Sequence, residues 1–280
     1  MATISVSLPA DGESIDASDY NTPLTTIVNE INGNLDNANI KSAAAIAGSK
    51  LADASIDLGS KTSVWDGWIA VSDSWTYASA TTITVPSDAT TKYAVGDKIK
   101  LVQSATTKYF FVTAVSSTVL TVTGGTDYTV ANSAISGIYY SKVASPQSFP
   151  KWFSYTPTFV NLSGGSLNYA KFTLNDGIAT VKIKYTLAGA GVGGTVTSTV
   201  PVNFHSDYTT DRDPIQNSGV LYDATGSRWV PWVLWNAADK VTVGYLAAAD
   251  TYANLSSTVP FTWATTDEIS IIFSYHHVNA

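Results

Sequence analysis

Histidines with acidic neighbours are the first side chains in this sequence whose types and spacing would allow catalysis. His205 is followed by three acids, Asp207, Asp211 and Asp213. A Ser-His-Asp site usually also needs a nucleophile turn such as Gly-x-Ser-x-Gly, and the sequence contains none. His276 and His277 end the last predicted strand, where adjacent residues point to opposite faces, so they cannot chelate one metal within one chain. In a trimer, one of them would be able to face the axis and bind an ion.

Paired carboxylates are the second route to catalysis, because glycosidases need two of them at a fixed separation. The sequence offers Asp211 with Asp213, and Asp267 with Glu268. Both pairs lie in turn-like contexts, where acids are common, and Arg212 between the first two indicates a salt-bridged loop. We therefore predict no enzyme activity, no metal site and no cofactor. A small carbohydrate-active hydrolase remains the alternative from a different class.

The segment Trp-Val-Pro-Trp-Val-Leu-Trp at 229–235 is the most informative aromatic cluster. Strand alternation separates Trp232 from the set Trp229, Pro231, Val233 and Trp235. The proline indicates an edge strand or a bulge. Two interpretations remain open, namely rings packed in a core or subunit interface, and a flat platform for a sugar ring. With the polar loop at 205–228, the candidate receptor-binding residues are Tyr208, Arg212, Tyr222, Arg228, Trp229 and Trp232.

Charge and composition exclude several classes of protein. Residues 1–60 contain eight acids and two lysines, and so carry −6 of the net charge of −7. Nucleic-acid binding needs a basic footprint, so we expect none. An acidic segment suits docking on a basic or mixed protein surface, although it also suits simple solubility. The chain has no cysteine for disulfides or thiolate metal sites. We see no signal peptide or membrane-spanning pattern, which predicts synthesis in a cytoplasm and no membrane insertion.

Short alternating strands separated by turn signals follow from residue 64 onward. Six of them in residues 64–145 predict a small closed β-barrel or sandwich, which would act as a spacer. Within this region Lys98 and Lys100 alternate with apolar residues, which predicts a strand with one wet face. Residues 109–112 are apolar on both faces, which predicts a central strand.

Two further regions complete the predicted domain organisation. Residues 146–154 contain two prolines and predict a stiff linker. Trp152 and Phe153 within it are expected to cover the joint between domains. Residues 155–280 contain eight or nine alternating runs, which is the size of a jelly-roll-like β-sandwich. The fold class is therefore mainly β.

Residues 20–56 form the segment around which the chain is organised. Four apolar residues have the a/d spacing of a coiled-coil seam, Tyr20, Leu24, Ile27 and Ile31. The seam then weakens, and the next large apolar residues are spaced irregularly, Ile40, Ile46, Leu51 and Ile56. A stripe this narrow cannot bury itself within one helix. We therefore predict that residues 1–60 are a helical and extended segment that makes the protein an oligomer and anchors it.

The same segment carries a family resemblance. The run NTPLTTIVNEINGNLDNANI, followed by KSAAAIAGSKLADASI, resembles the N-terminal part of tailed-bacteriophage fibre and appendage proteins over residues 10–60. The segment AVGDKIKL with KYFFVTAVSSTVLTV resembles a small barrel domain of phage structural proteins. The pattern YTPTFVNLSGGSLNYAKFTLNDGIATVKIKYTLAG resembles terminal domains of phage fibres, although more loosely. The alternative is an amphipathic helix that packs on its own globular domain.

The resemblance implies a virion structural protein, made in the host cytoplasm and carried in the virion. The expected form is an oligomer, a homotrimer by resemblance, that acts as a tail or head fibre. Residues 1–60 would bind other virion proteins, and residues 155–280 would bind the host surface, including its carbohydrate. The alternative is a capsid or tail decoration or adaptor protein that does not recognise a host.

Overall fold

The computed structural model describes residues 14, 16–18, 21–22, 24–25, 27–28, 66–86, 88–210, 215–247 and 251–277. This part of the chain is mainly β and consists of antiparallel sheets. The chain divides into two compact units, Met1–Leu58 and Gly59–Ala280. In the first unit the described positions between 17 and 28 are helical, and Leu24 there is 57% exposed. Two residues of the predicted seam, Tyr20 and Ile31, lie outside the described residues, as do Ile40, Ile46, Leu51 and Ile56.

The first sheet of the second unit has seven strands. They are β1 Ile69–Ala70, β2 Thr76–Ser79, β3 Thr82–Thr84, β4 Lys98–Gln103, β5 Thr106–Ser116, β6 Val119–Thr123 and β7 Ser136–Ser141. A four-residue helix, α1 at Ala89–Lys92, lies between β3 and β4 and is capped by Asp88. The strand order is β1-β7-β4-β5-β6-β3-β2. The predicted strand at 109–112 is central, as expected.

The prediction of a closed barrel is wrong for the described residues, which form an open sheet. Closure would require β1 to pair with β2, but these two strands are the opposite edges of the sheet. The sequence pattern missed β2, whose Thr-Tyr-Ala-Ser has little apolar alternation, and this strand continues the sheet beyond β3. At two residues, β1 is also too short to supply a closing ladder.

The first core lies on one face of this sheet. It is built from alternate residues of β3 to β7, Ile83, Ile99, Leu101, Phe110, Val112, Leu120, Val122 and Ile138. Connecting segments cover it with Trp75, Tyr93 and Val130. The rings of Trp75 and Tyr93 meet edge to face at 5.6 Å, a favourable arrangement of aromatic quadrupoles.

The predicted wet face of β4 is wrong. Lys98 is only 4% exposed, and burial lowers the pKa of both Lys98 and Lys100. The reason lies on the neighbouring strand, because Phe111 and Tyr109 sit directly opposite these two lysines on the same face. Phe149 then packs edge to face against both rings.

Two more antiparallel sheets share the second core. One contains β8 Phe153–Ser154, β10 Gly165–Asn175, β11 Ile178–Ala188, β13 Gln216–Tyr222, β14 Arg228–Trp229 and β18 Thr265–His276, in the order β14-β13-β18-β11-β10-β8. The other contains β9 Phe159–Leu162, β12 Val192–Thr199, β15 Pro231–Ala237, β16 Lys240–Leu246 and β17 Tyr252–Asn254. Its order is β15-β16-β12-β9, and β17 pairs with β16. Inward residues of both sheets form one apolar cluster.

Turn chemistry sets the register of the longest hairpin. Asp176 and Gly177 join β10 to β11 with φ of 48° and 76°, and Asn175 pairs with Ile178. Two consecutive residues in the left-handed region make the hairpin turn that matches strand twist, and Asp-Gly is a favoured pair for it. The local sequence thus accounts for this turn. The glycine-rich segment at 188–194 forms a loop between the end of β11 and Val192, where β12 begins.

Aromatic rings connect the first sheet to the second core. Phe153 is 0% exposed, and its ring centroid lies 5.2 Å from that of Phe111 and 6.0 Å from that of Phe172. Phe111 comes from β5 and Phe172 from β10, so Phe153 lies at the joint between the first sheet and the second core. Trp152 instead lies on the outer face of its sheet, where the Lys182 ammonium is 4.2 Å from its ring centroid.

Candidate functional site

The histidines that opened the catalytic hypothesis do not assemble a catalytic site among the described residues. His205 Nδ1 accepts the Asp207 backbone N–H at 3.2 Å and lies 3.3 Å from the Asp207 carboxylate, which is a local loop contact. His276 is exposed and His277 is buried, so the two point to opposite faces as predicted. The acids at 211 and 213 lie outside the described part of the chain.

The second carboxylate pair stabilises loops. Asp267 is 1% exposed, and its two carboxylate oxygens accept the backbone N–H groups of Ala224 and Ala264 at 2.9 and 2.6 Å. Glu268 forms an ion pair with Lys184 at 2.9 Å. These carboxylates are therefore committed to structural contacts. No group of three His, Cys, Asp or Glu that would hold a metal occurs in the described ranges.

The predicted receptor-binding residues do not form one site among the described residues, although Tyr222 and Arg228 are in contact. Tyr208 packs on Phe204 with ring centroids 5.0 Å apart, and its hydroxyl accepts the His276 N–H at 3.3 Å. Tyr222 and Arg228 face each other across β13 and β14, with the guanidinium 5.3 Å from the ring centroid. Arg212 lies outside the described residues. The predicted loop at 205–228 is partly wrong, since β13 occupies 216–222.

The tryptophan segment divides between a core face and an outer face. Trp229 stacks on Phe261 at 4.6 Å and packs against the second core, as does Trp235. Val233 is buried on the same side, which confirms the predicted alternation. Pro231 begins β15, an edge strand, as predicted. Core packing therefore explains Trp229 and Trp235, whereas Trp232 points the other way.

Trp232 lies on the outer face of its sheet beside an exposed tyrosine. The rings of Trp232 and Tyr252 are nearly parallel, at 8°, with centroids 6.3 Å apart. Tyr252 is 47% exposed. In the ladder, Trp232 is directly opposite Gly244, and Gly244 is directly opposite Asn254. Directly opposed residues share a face, so the two aromatic rings and the amide lie together.

A glycine makes this arrangement possible. A Cβ at position 244 would lie 2.5 Å from the carbonyl oxygen of Ala253, so only glycine fits without a shift of β17. The missing side chain also leaves room on the outer face between Trp232 and Tyr252. Gly244 thus lets β15 and β17 present their rings on either side of β16.

Polar uncharged groups complete the surface. We call the set Trp232, Leu234, Asn236, Thr242, Tyr252 and Asn254 the outer aromatic face. All of these residues except Trp232 line a shallow depression of about 310 Å³, together with Thr195 and Trp235, and no charged residue lines it. The Asn236 amide donates to the Thr242 hydroxyl at 3.0 Å, which holds one wall. The face therefore combines flat apolar rings with amide and hydroxyl groups.

The indole of Trp232 is only partly exposed. Its indole N–H is shielded from solvent and has no acceptor among the described residues. An unsatisfied buried donor destabilises a fold by about 1–3 kcal/mol. The same holds for Trp75 and Trp235, which pack in or against the two cores, so the unpaired donor does not distinguish Trp232. What distinguishes Trp232 is its place on the outer face, beside the exposed ring of Tyr252.

Sequence reasoning identified Trp232 but missed its partners. Tyr252 and Asn254 are twenty and twenty-two positions downstream, in a three-residue strand that no alternation pattern marked. Asn236 sits in the same strand as Trp232 but beside a register shift between Trp235 and Ala237. The available signal was Gly244, an isolated glycine inside a strand pattern, which indicates a close approach of another backbone.

Comparisons with known proteins find no relative: no protein-family model, no curated protein and no solved structure matches the chain. Among the described helical residues, none belongs to a helix long and apolar enough to span a membrane.

Proposed function

We propose that this chain is a structural protein of a tailed-phage virion, a tail or head fibre that binds host-surface carbohydrate through its outer aromatic face. The resemblance of residues 10–60 supports the fibre assignment. The ring pair Trp232 and Tyr252 is the single observation that carries the binding role. A neutral, hydroxyl-rich sugar suits this face because rings stack on its apolar side while Asn236 and Asn254 meet its hydroxyls.

The remaining features of the proposal follow from the same resemblance. The protein is a homotrimer that residues 1–60 assemble and attach to other virion proteins. It is made in the host cytoplasm, acts without catalysis, and its residues 155–280 form a jelly-roll-like sandwich. Two sheets around one core support the sandwich. The exposed Leu24 supports a stripe that other chains cover.

Adsorption to host cells tests the binding role. We expect Trp232→Ala and Tyr252→Ala in the full chain to weaken binding of the purified protein to host cells about five- to thirtyfold, because each removes about 1–2 kcal/mol of ring stacking. Ile272→Ala is the matched control, since Ile272 is an exposed apolar residue on the outer face of the other sheet. It should leave adsorption unchanged.

The outcomes separate the candidate functions. Unchanged adsorption in both aromatic variants would refute the binding role. Loss of particle incorporation on deletion of residues 1–60, with normal adsorption by both aromatic variants, would instead identify a decoration or adaptor protein. Shortened products after incubation with host polysaccharide would identify a hydrolase and overturn the proposal of a non-catalytic fibre.

A further inference from the structure

A second concave site lies on the first sheet, far along the chain from the outer aromatic face. Its volume is about 410 Å³, within the range of small-molecule sites. Strands β4, β5 and β7 form its floor, and two turns at 66 and 147–148 form its walls. The groups that matter for binding are Lys100, Tyr139, Asp66, Thr107 and Ser148.

Two aromatic rings flank the ammonium group of Lys100. Its Nζ lies 4.2 Å from the ring centroid of Tyr139 and 4.7 Å from that of Trp68. Cation–π contacts at this distance hold the ammonium group in place and leave its N–H groups free to donate hydrogen bonds. Among the described residues no oxygen accepts from Lys100, so its three donors are available to a ligand.

Burial acts on this lysine as well. Desolvation lowers the pKa of Lys100, while the charge of Asp66 opposes that change. A partly desolvated cation gains more from an incoming anion than a solvated one, because the surrounding dielectric is lower. The ammonium group of Lys100 is therefore positioned to bind an anionic ligand.

Asp66 faces the same cavity but does not neutralise Lys100. Its Oδ1 accepts the backbone N–H of Trp68 at 2.9 Å, which fixes the carboxylate. Its other oxygen has no donor in the described part of the chain. The described contacts include no ion pair between Asp66 and Lys100, although both line the cavity. Opposite charges that share a cavity without touching leave room for a ligand between them.

We propose that this cavity binds a carboxylate-bearing sugar of the hexuronate class. The sugar carboxylate accepts hydrogen bonds from the Lys100 ammonium, and sugar hydroxyls donate to the free oxygen of Asp66. Thr107 and Ser148 supply further hydroxyl groups. Asp66 disfavours phosphate and sulfate, which carry more negative charge and few hydroxyl donors. A neutral sugar leaves Lys100 unpaired, so the carboxylate decides the selectivity.

The two sites are independent. The outer aromatic face carries no charged residue in its depression, whereas this cavity carries one cation and one anion. The hexuronate site therefore holds whether or not the proposed host-binding role is correct. Trp232→Ala should leave hexuronate binding intact.

Calorimetric titration of the full chain tests the proposal with three probes, sodium D-glucuronate, D-glucose and sodium acetate. We expect glucuronate to bind at least about tenfold more tightly than either of the others. Lys100→Met should weaken glucuronate binding at least about tenfold, because the charged hydrogen bonds are lost. Lys171→Met is the matched control, a half-buried lysine on another sheet, and should change nothing.

A second variant keeps the test decisive if Lys100→Met does not fold. Asp66→Asn retains the oxygen that accepts the Trp68 N–H, so it preserves the turn. It removes the charged acceptor for hydroxyls and the repulsion of simple anions, so the ratio of glucuronate to acetate affinity should fall at least about threefold. Equal affinities of the wild-type chain for glucuronate and glucose, or an unchanged ratio in Asp66→Asn, would overturn the proposal.

Discussion

Phe153→Ala tests whether the aromatic joint makes the two cores of the second unit one cooperative structure. Phe153 is 0% exposed and lies between rings of both regions, with Phe111 on one side and Phe172 on the other. Phe149 and Tyr128 complete its surroundings. Truncation to alanine leaves a cavity at the point where the first sheet meets the second core.

The magnitude follows from burial and ring contacts. Truncation of a fully buried phenylalanine lowers the free energy of unfolding by about 3–5 kcal/mol, which includes the cavity. The edge-to-face contact with Phe111 contributes about 0.5–1.5 kcal/mol of this, and it is one of the contacts that connect the regions. We therefore expect the free energy of unfolding to decrease by about 4 kcal/mol. We expect the contacts between the first sheet and the second core to be weakened most.

Urea unfolding combined with native-state hydrogen exchange measures both quantities. In the wild-type chain the amides of β5 and β11 should exchange with the same free energy, because they open together. In Phe153→Ala the β5 amides should exchange through a separate opening of lower free energy. Phe273→Ala is the matched control, since Phe273 is 1% exposed in the second core and its ring partner there is Tyr275.

Two results would refute this reasoning. The first is a wild-type chain in which β5 and β11 already differ by more than about 1 kcal/mol, which would mean that the joint never coupled them. The second is a Phe153→Ala chain in which both strands lose protection equally, as expected of Phe273→Ala. Phe153 would then behave as an ordinary core residue, with no special role in coupling the first sheet to the second core.

Four more predictions follow, three from single residues and one from the N-terminal segment. Burial raises the pKa of Tyr155 and Tyr275 in the folded chain, so the free energy of unfolding should be unaffected by them below about pH 10 and fall above it. In urea unfolding at pH 7, Tyr275→Phe should lower the free energy of unfolding by about 1 kcal/mol, because it removes a 2.7 Å hydrogen bond. Tyr155→Phe removes a hydroxyl that has no partner and should not lower that free energy. Gly244→Ala should lower the free energy of unfolding by about 1–3 kcal/mol and weaken host adsorption, because the new methyl group forces β17 to shift. The control Gly189→Ala should change neither quantity, because its methyl group meets no atom within 4 Å. If residues 1–60 assemble the chain as proposed, the full chain should sediment as an oligomer and the chain without residues 1–60 as a monomer. A shortened chain with the same oligomeric state as the full chain would contradict the proposed role of that segment.

Local patterns predicted most strands of the second unit well. The hairpin at 176–177 and the central position of 109–112 follow from turn residues and from apolar content on both faces. The closed barrel failed because alternation does not say which strands become neighbours. The weakly patterned β2 extends one edge of the sheet beyond β3, away from β1.

The outer aromatic face illustrates what a local pattern leaves open. Alternation separated Trp232 from the core-facing tryptophans, and the structure agrees. Nothing local indicated that Tyr252 would stack beside it, because that contact depends on β17 pairing with β16. The predicted binding residues are separated for the same reason, since β14 at 228–229 and β15 at 231–237 belong to different sheets.

The sequence by itself determined the fold class, most strand positions and the faces to which most side chains of those strands point. These properties depend on neighbours along the chain, through the period of two and the turn residues. Only the tertiary structure decided the strand order, the burial of Lys98 and the meeting of Lys100 with Asp66 in one cavity. Those properties depend on contacts between distant segments, whose free energies come from packing and desolvation that no local pattern contains.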